Sequence, residues 1–146
     1  MIYLMRTGCQ WKAIPRSLGA GSTVHDRFQV WEKAGVFREH WTTGLLEYNT
    51  DIGLDFEWQS LDGCITKAPL GEEKTGPNPT DRGKKGTIRH LLTEAAGMPI
   101  GLVVTGANRH DKTQVEAAFE SMPLFPPLPT EEQPQHFCGD KGYDYP

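Results

Sequence analysis

The apolar pattern of this chain changes period once, near residue 56, and that change constrains the fold more than any single motif does. Before it, apolar residues recur at helical spacing. In "STVHDRFQVWEKAG", Val24, Phe28 and Trp31 fall on one face, with Ser22 or Thr23 as the expected N-cap, Asp26 three residues after Thr23, and Gly35 as the stop. In "VFREHWTTGLLEY", Phe37, Trp41, Leu45 and Tyr48 repeat on one helical face. "IYLMRTGCQW" reads as the tail of an earlier helix ending at Gly8. Helices joined by short turns predict a small helical, helix-turn-helix-like module over residues 1–50. Trp11, Phe28, Trp31 and Trp41 are expected in its core rather than as base-stacking platforms.

Beyond residue 56 the period is that of strands. "FEWQSLDGCITKA" alternates, so that Trp58, Ser60, Asp62 and Cys64 share one face and Leu61 and Ile65 the other. A polar, basic loop follows in "PLGEEKTGPNPTDRGKKG". Next, "RHLLTEA" and "PIGLVVTGA" predict a hairpin turning around Gly97 and Pro99, and "DKTQVEAAFESM" predicts a helix with Asp111 as N-cap. "PLFPPLPTEEQP" is an extended connection, and "QHFC" a last short strand that delivers Asp140. A helix crossing back to that strand makes it parallel to an earlier one. The expectation over residues 51–146 is an α/β domain on a mixed sheet.

Composition narrows the classes. No run approaches the length of a membrane span, and the N-terminus lacks a signal-peptide pattern, which implies a cytoplasmic chain. Three cysteines without CxxC spacing suggest neither a disulfide framework nor a zinc site. The net charge of −4 alone argues against a nucleic-acid partner, but the charge is distributed in blocks: +3 over residues 1–40, −5 over 41–63, +3 over 64–90 and −5 over the rest. Basic blocks flanking acidic ones suit a metal pocket bordered by phosphate contacts, and equally a solvated surface.

Two aspartates carry the candidate chemistry. Asp62 is mid-strand and Asp140 at a strand end, and if those strands are neighbours their carboxylates converge. Paired carboxylates hold hard cations such as Mg²⁺ or Mn²⁺. Two such ions about 3.5 to 4 Å apart activate a water or 3′ hydroxyl and stabilise the leaving oxygen of a phosphodiester. Each aspartate is also followed closely by glycine, so turn roles compete with this reading. Lys84, Lys85 and Arg89 are candidate phosphate contacts, or a solvated loop; Arg16, Arg27 and Arg38 stand in the same position within the helical module. For Asp111 a place near the active site is the lesser alternative to capping. Asp144 is read as a local cap or pair, not as a ligand.

Taken together, "RTGCQW", "LDGCITKAPLGEEKTGPNPTDRGKKGT", "LLTEAAGMPIGLVVTGANRHD" and "DKGYDYP" resemble the DDE transposases of bacterial insertion sequences, families four and five, over nearly the whole chain. The resemblance implies a ribonuclease-H-like mixed sheet in which Asp62 and Asp140 are the first two catalytic, metal-binding acids. It also implies a helical segment that binds terminal inverted repeats, target DNA as second partner, self-association as a dimer, and a nucleoid-associated place in the cell. Members of that family carry a third acid, a Glu in a Tyr-Arg-Glu-Lys context, well after the DKGYD motif. The expectation is therefore a chain truncated at its C-terminus, and at its N-terminus too, that does not transpose alone. A sheet cut after its second acid lacks the helix that would cover one face, which predicts marginal solubility.

Two other readings compete. "LDGC" and "GDKGYD" mimic motifs of haloacid-dehalogenase-like phosphohydrolases, but the nucleophile position two residues before Asp62 is Ser60, and no aspartyl-phosphate forms without a carboxylate there. The other reading is a non-catalytic DNA-binding remnant that inhibits full-length copies.

Overall fold

A computed structural model describes residues 1–71 and 73–143. Asp144 lies outside the described residues. The chain divides into two compact units, Met1–Gly44 and Leu45–Pro146.

In the first unit, α1 (Ile2–Thr7) ends at Gly8, whose φ of 62° is the left-handed cap expected there. Two short 3-10 turns, Trp11–Ala13 and Arg16–Leu18, lead to α2 (Gly21–Lys33). The cap of α2 differs from the expectation. Its N-cap is Ala20, and neither Ser22 nor Thr23 caps it. The first helical residue, Gly21, packs tight against the first 3-10 turn, where a side chain would run into the Trp11 carbonyl. Ala34 and Gly35, with φ of 72° at Gly35, turn the chain into α3 (Val36–Asp51), whose last residues from Leu45 on belong to the second unit. Tilted aromatic contacts, Trp11 on Phe28 and Phe28 on Phe37, each with centroids 5.3 Å apart, hold this unit together.

The second unit is a mixed sheet: β1 (Trp58–Lys67), the two-residue β2 (Gly76–Pro77), β3 (Lys85–Thr93), β4 (Pro99–Gly106) and β5 (His136–Gly139). Strand β3 pairs antiparallel with β1 on one side and with β4 and β2 on the other, and β5 pairs parallel with β1. The expected hairpin is present. Its turn is closed by the buried Glu94, whose two carboxylate oxygens accept the N–H groups of Met98 (2.8 Å) and Asp55 (3.0 Å). The crossover is a 3-10 turn, Asp111–Gln114, running into α4 (Val115–Glu120). α4 lies so close to the sheet that a β-carbon on Gly101 would be 2.7 Å from the Ala118 carbonyl oxygen, and the Ser121 hydroxyl accepts the Leu102 N–H at 2.9 Å.

One face of the sheet is the core. Leu61, Ile88, Leu92 and Ile100 are buried there with Ala118 and Met122, and Leu92 and Ile100 are sealed almost completely, each worth about 2 kcal/mol of transfer free energy. Alternation along β1 is as expected for Trp58, Gln59, Ser60 and Leu61, but Ile65 is 40% exposed. Beyond Leu61 the ladder to β5 has ended, so β1 is flanked there by β3 alone among the described residues. The opposite face presents Trp58, Leu91 and Leu102 to solvent, exposed by 52%, 37% and 44%. Among the described residues, no helix is long and apolar enough to cross a membrane.

Candidate metal centre

Strands β1 and β5 run in parallel register from Trp58 opposite His136 to Leu61 opposite Gly139. The next residue on each is an aspartate, Asp62 and Asp140. Parallel pairing follows from the crossover through α4, and it is what brings two acids so distant in sequence to the end of one ladder. Both side chains are exposed. Asp62 Oδ1 accepts the N–H of Gly63 at 2.9 Å, and Asp140 Oδ1 accepts that of Gly142 at 2.8 Å. Asp140 thus does form the turn that competed with the ligand reading, and a carboxylate has oxygen capacity for both tasks. A cleft of about 340 Å³ lined by Phe137, Gly139, Asp140 and Tyr143 opens beside it.

Beneath the acids lies a buried polar cluster. Tyr143 is 7% exposed, and its hydroxyl is 3.0 Å from His90 Nδ1. His90 is fully buried, with Nε2 3.2 Å from Thr105 Oγ1 and Nδ1 3.9 Å from Asp111 Oδ1. Burial pulls the His90 pKa down, partly offset by the Asp111 carboxylate. The Tyr143 phenol is pushed far up, first by burial and then by the negative charges of Asp111, Asp140 and Asp62. Three carboxylates therefore act on one hydroxyl, which stays protonated. When Tyr143 donates to Nδ1, the neutral imidazole keeps its proton on Nε2 and donates it to Thr105.

This corrects the reading of Asp111. The N-cap of the 3-10 turn is His110, no side chain caps it, and Asp111 is the first residue inside the turn. Its carboxylate, only about a third exposed, faces inward to His90 instead. The glycines show how tightly it is set. A β-carbon on Gly142 would be 2.7 Å from Asp111 Oδ2 and 3.0 Å from Asp140 Oδ1; one on Gly63 would be 2.9 Å from the Tyr143 hydroxyl and 3.5 Å from Asp111 Oδ1.

Among the described residues, no group of three or more His, Cys, Asp and Glu is close enough to hold a metal ion, and no Lys or Arg forms an ion pair with Asp62 or Asp140. Two exposed, hard oxygen donors that no basic side chain neutralises fit Mg²⁺, which takes one or two carboxylates and keeps most of its waters.

The basic candidates fall in both units. Arg16 lies on the second 3-10 turn, Arg27 in α2 and Arg38 in the first turn of α3, all exposed. Lys84 is exposed just after a turn, and Lys85 donates from Nζ to the Gly71 carbonyl at 3.2 Å. Arg89 stands opposite Cys64, two residues along the open sheet face from Asp62, with Nη2 3.9 Å from Cys64 Sγ.

Comparison with known proteins gives the family. Residues 1–41 match the family described as "Putative transposase of IS4/5 family", and residues 49–146 match "Transposase DDE domain". The "Putative transposase for insertion sequence element IS402" of Burkholderia cepacia is 40% identical over 76 residues, 51% of this chain and 36% of the relative. The "Insertion element IS402 uncharacterized 16.2 kDa protein" of the same organism is 26% identical over 81 residues, 54% of this chain and 55% of the relative. The chain thus spans between a third and somewhat over half the length of these curated relatives. No solved structure matches it. The DDE model covers well over half of the chain, and the protein belongs to the DDE-domain transposases of bacterial insertion sequences.

Proposed function

We propose that the chain is part of an insertion-sequence transposase, with Asp62 and Asp140 as two carboxylates of its divalent-metal site. The observation that carries this reading is the parallel β1 and β5 ladder, which ends one residue before an aspartate on each strand. The strand order β4, β3, β1, β5, with three antiparallel strands and a helical crossover to a parallel fourth, supports a ribonuclease-H-like sheet. Residues 51–146 are then the catalytic part, and residues 1–50 the part that engages terminal inverted repeats. When bound, Mg²⁺ or Mn²⁺ supplies Lewis-acid polarisation of a phosphodiester and activation of a water or 3′ hydroxyl.

The chain's own residues bind and orient. Asp62 and Asp140 would hold the ion, and the turn from Asp140 to Gly142 fixes one Asp140 carboxylate oxygen and would leave the other for the ion. Arg89, Lys84 and Lys85 would meet backbone phosphates of DNA laid over the open face, and Arg16, Arg27 and Arg38 those of the terminal repeats. Replacing any one of these six cations by alanine should make the slope of log affinity against log salt shallower by about 1.

The test is a binding and strand-transfer assay on the element's terminal inverted repeats with Mg²⁺ or Mn²⁺. Specific binding of the repeats without strand transfer is the expected result for the chain alone, tightened by the metal in the parent but not in Asp62→Asn or Asp140→Asn. Strand-transfer product from the chain alone would overturn the expectation that a third acid is required, and binding that no metal affects would favour a DNA-binding inhibitor of full-length copies. Absence of binding would refute the proposal.

A further inference from the structure

Tyr143, His90 and Asp111 form a connected group that the metal reading does not use. They come from three separate places: the turn after β5, the centre of β3, and the start of the crossover. None takes part in the ladder that brings Asp62 and Asp140 together, yet all converge between the segments bearing those acids. β5 is only four residues long and all four are exposed, so its ladder alone is a weak anchor for Asp140. The buried side chain just after Asp140 is Tyr143, and its hydroxyl lies over Gly63, the neighbour of Asp62. Asp111 spans the same gap, with Oδ1 towards Gly63 and His90 and Oδ2 towards Gly142. Both glycines are required for this approach, since a β-carbon on either would lie within 3.0 Å of these side-chain oxygens.

We infer that Tyr143, held by His90, and Asp111 act as a latch that fixes the Asp140 turn against β1 and so sets the position of Asp140 relative to Asp62. All three are positioning residues: they act through Asp140 and Gly63 and do not touch the ion. The inference rests on the reading of Asp62 and Asp140 as metal carboxylates for its consequence, but not for the latch itself. Orienting groups behind carboxylate ligands commonly change metal affinity by about 10- to 100-fold when removed.

Two measurements on the whole chain test it, with Tyr143→Phe removing only the hydroxyl and Asp111→Asn only the charge. The first is Mn²⁺ affinity by electron paramagnetic resonance; the second is amide hydrogen exchange, read separately over residues 136–142 and over β3 and β4. The expected result is Mn²⁺ binding weakened by about tenfold or more in both variants. Exchange should accelerate over 136–142, while β3 and β4 stay protected. Unchanged affinity together with unchanged exchange would overturn the latch, and so would faster exchange spread evenly over the sheet, the mark of simple destabilisation. If the unaltered chain binds no Mn²⁺, or if Asp62→Asn and Asp140→Asn bind it as well as the parent, the metal reading fails. Exchange then decides alone: selective loosening of 136–142 upholds the latch, and its absence refutes it.

Discussion

His90 has no exposed surface, and its environment favours the neutral ring because burial outweighs the attraction of Asp111. Its pKa in the fold is therefore below the 6.5 of a free imidazole. As pH falls the unfolded chain takes up this proton first, so the stability tied to the neutral ring is complete above about pH 6.5 and is lost as pH drops towards the folded value. Thermal melts should show a lower Tm near pH 5.5 than near pH 7.5, and His90→Gln should shrink that difference while lowering Tm at both. An unchanged difference in the variant would assign the pH dependence to the carboxylates instead. That Asp62 and Asp140 come to the end of one ladder is legible in the sequence, because strand pattern and the helical crossover imply parallel pairing of the strands that precede them. The inward turn of Asp111 is not: an acid at a helix start has the same local signature whether it caps the helix or turns inward, and only the approach of Gly63 and Gly142 separates the two. His90 and Tyr143 give no chemical signal either, since each occupies an ordinary position in a strand or turn and gains meaning only from residues far along the chain.

Among the elements, the hairpin, the crossover and the parallel last strand follow from period and connection length, whereas the start of α2 does not. Propensity places its cap at Ser22 or Thr23, but the helix begins at Gly21 after Ala20, packed against the Trp11 backbone where only glycine fits. The same kind of close approach fixes α4 to β4. A β-carbon added to the buried Gly101 would sit 2.7 Å from the Ala118 carbonyl oxygen, and the Leu102 N–H donates to the Ser121 hydroxyl. Gly101→Val should force helix and sheet apart and cost about 1–3 kcal/mol, the usual range for overpacking a tight contact. Chemical denaturation would measure it, and a variant as stable as the parent would show that α4 can move without loss.

In the second unit taken entire, the asymmetry of the sheet matters most. One face packs against α4 over β3 and β4, and the other shows Trp58, Leu91 and Leu102 to solvent beside Asp62 and Arg89. An apolar surface of this kind favours association, and we propose it as the face through which the chain would self-associate. Replacing Leu91 and Leu102 together with Thr keeps strand propensity and should raise solubility and reduce oligomers in sedimentation velocity, with Tm nearly unchanged. Equal association in the variant would move the sticky surface elsewhere.

The proposed function depends on Asp62 and Asp140 holding one divalent ion at the end of the β1 and β5 ladder. Crystals of the chain grown with Mn²⁺ and measured for anomalous scattering would locate that ion. The expected peak lies within coordination distance, about 2.2 Å, of a carboxylate oxygen from each aspartate. A peak elsewhere, or one touching neither side chain at saturating Mn²⁺, would contradict the shared site.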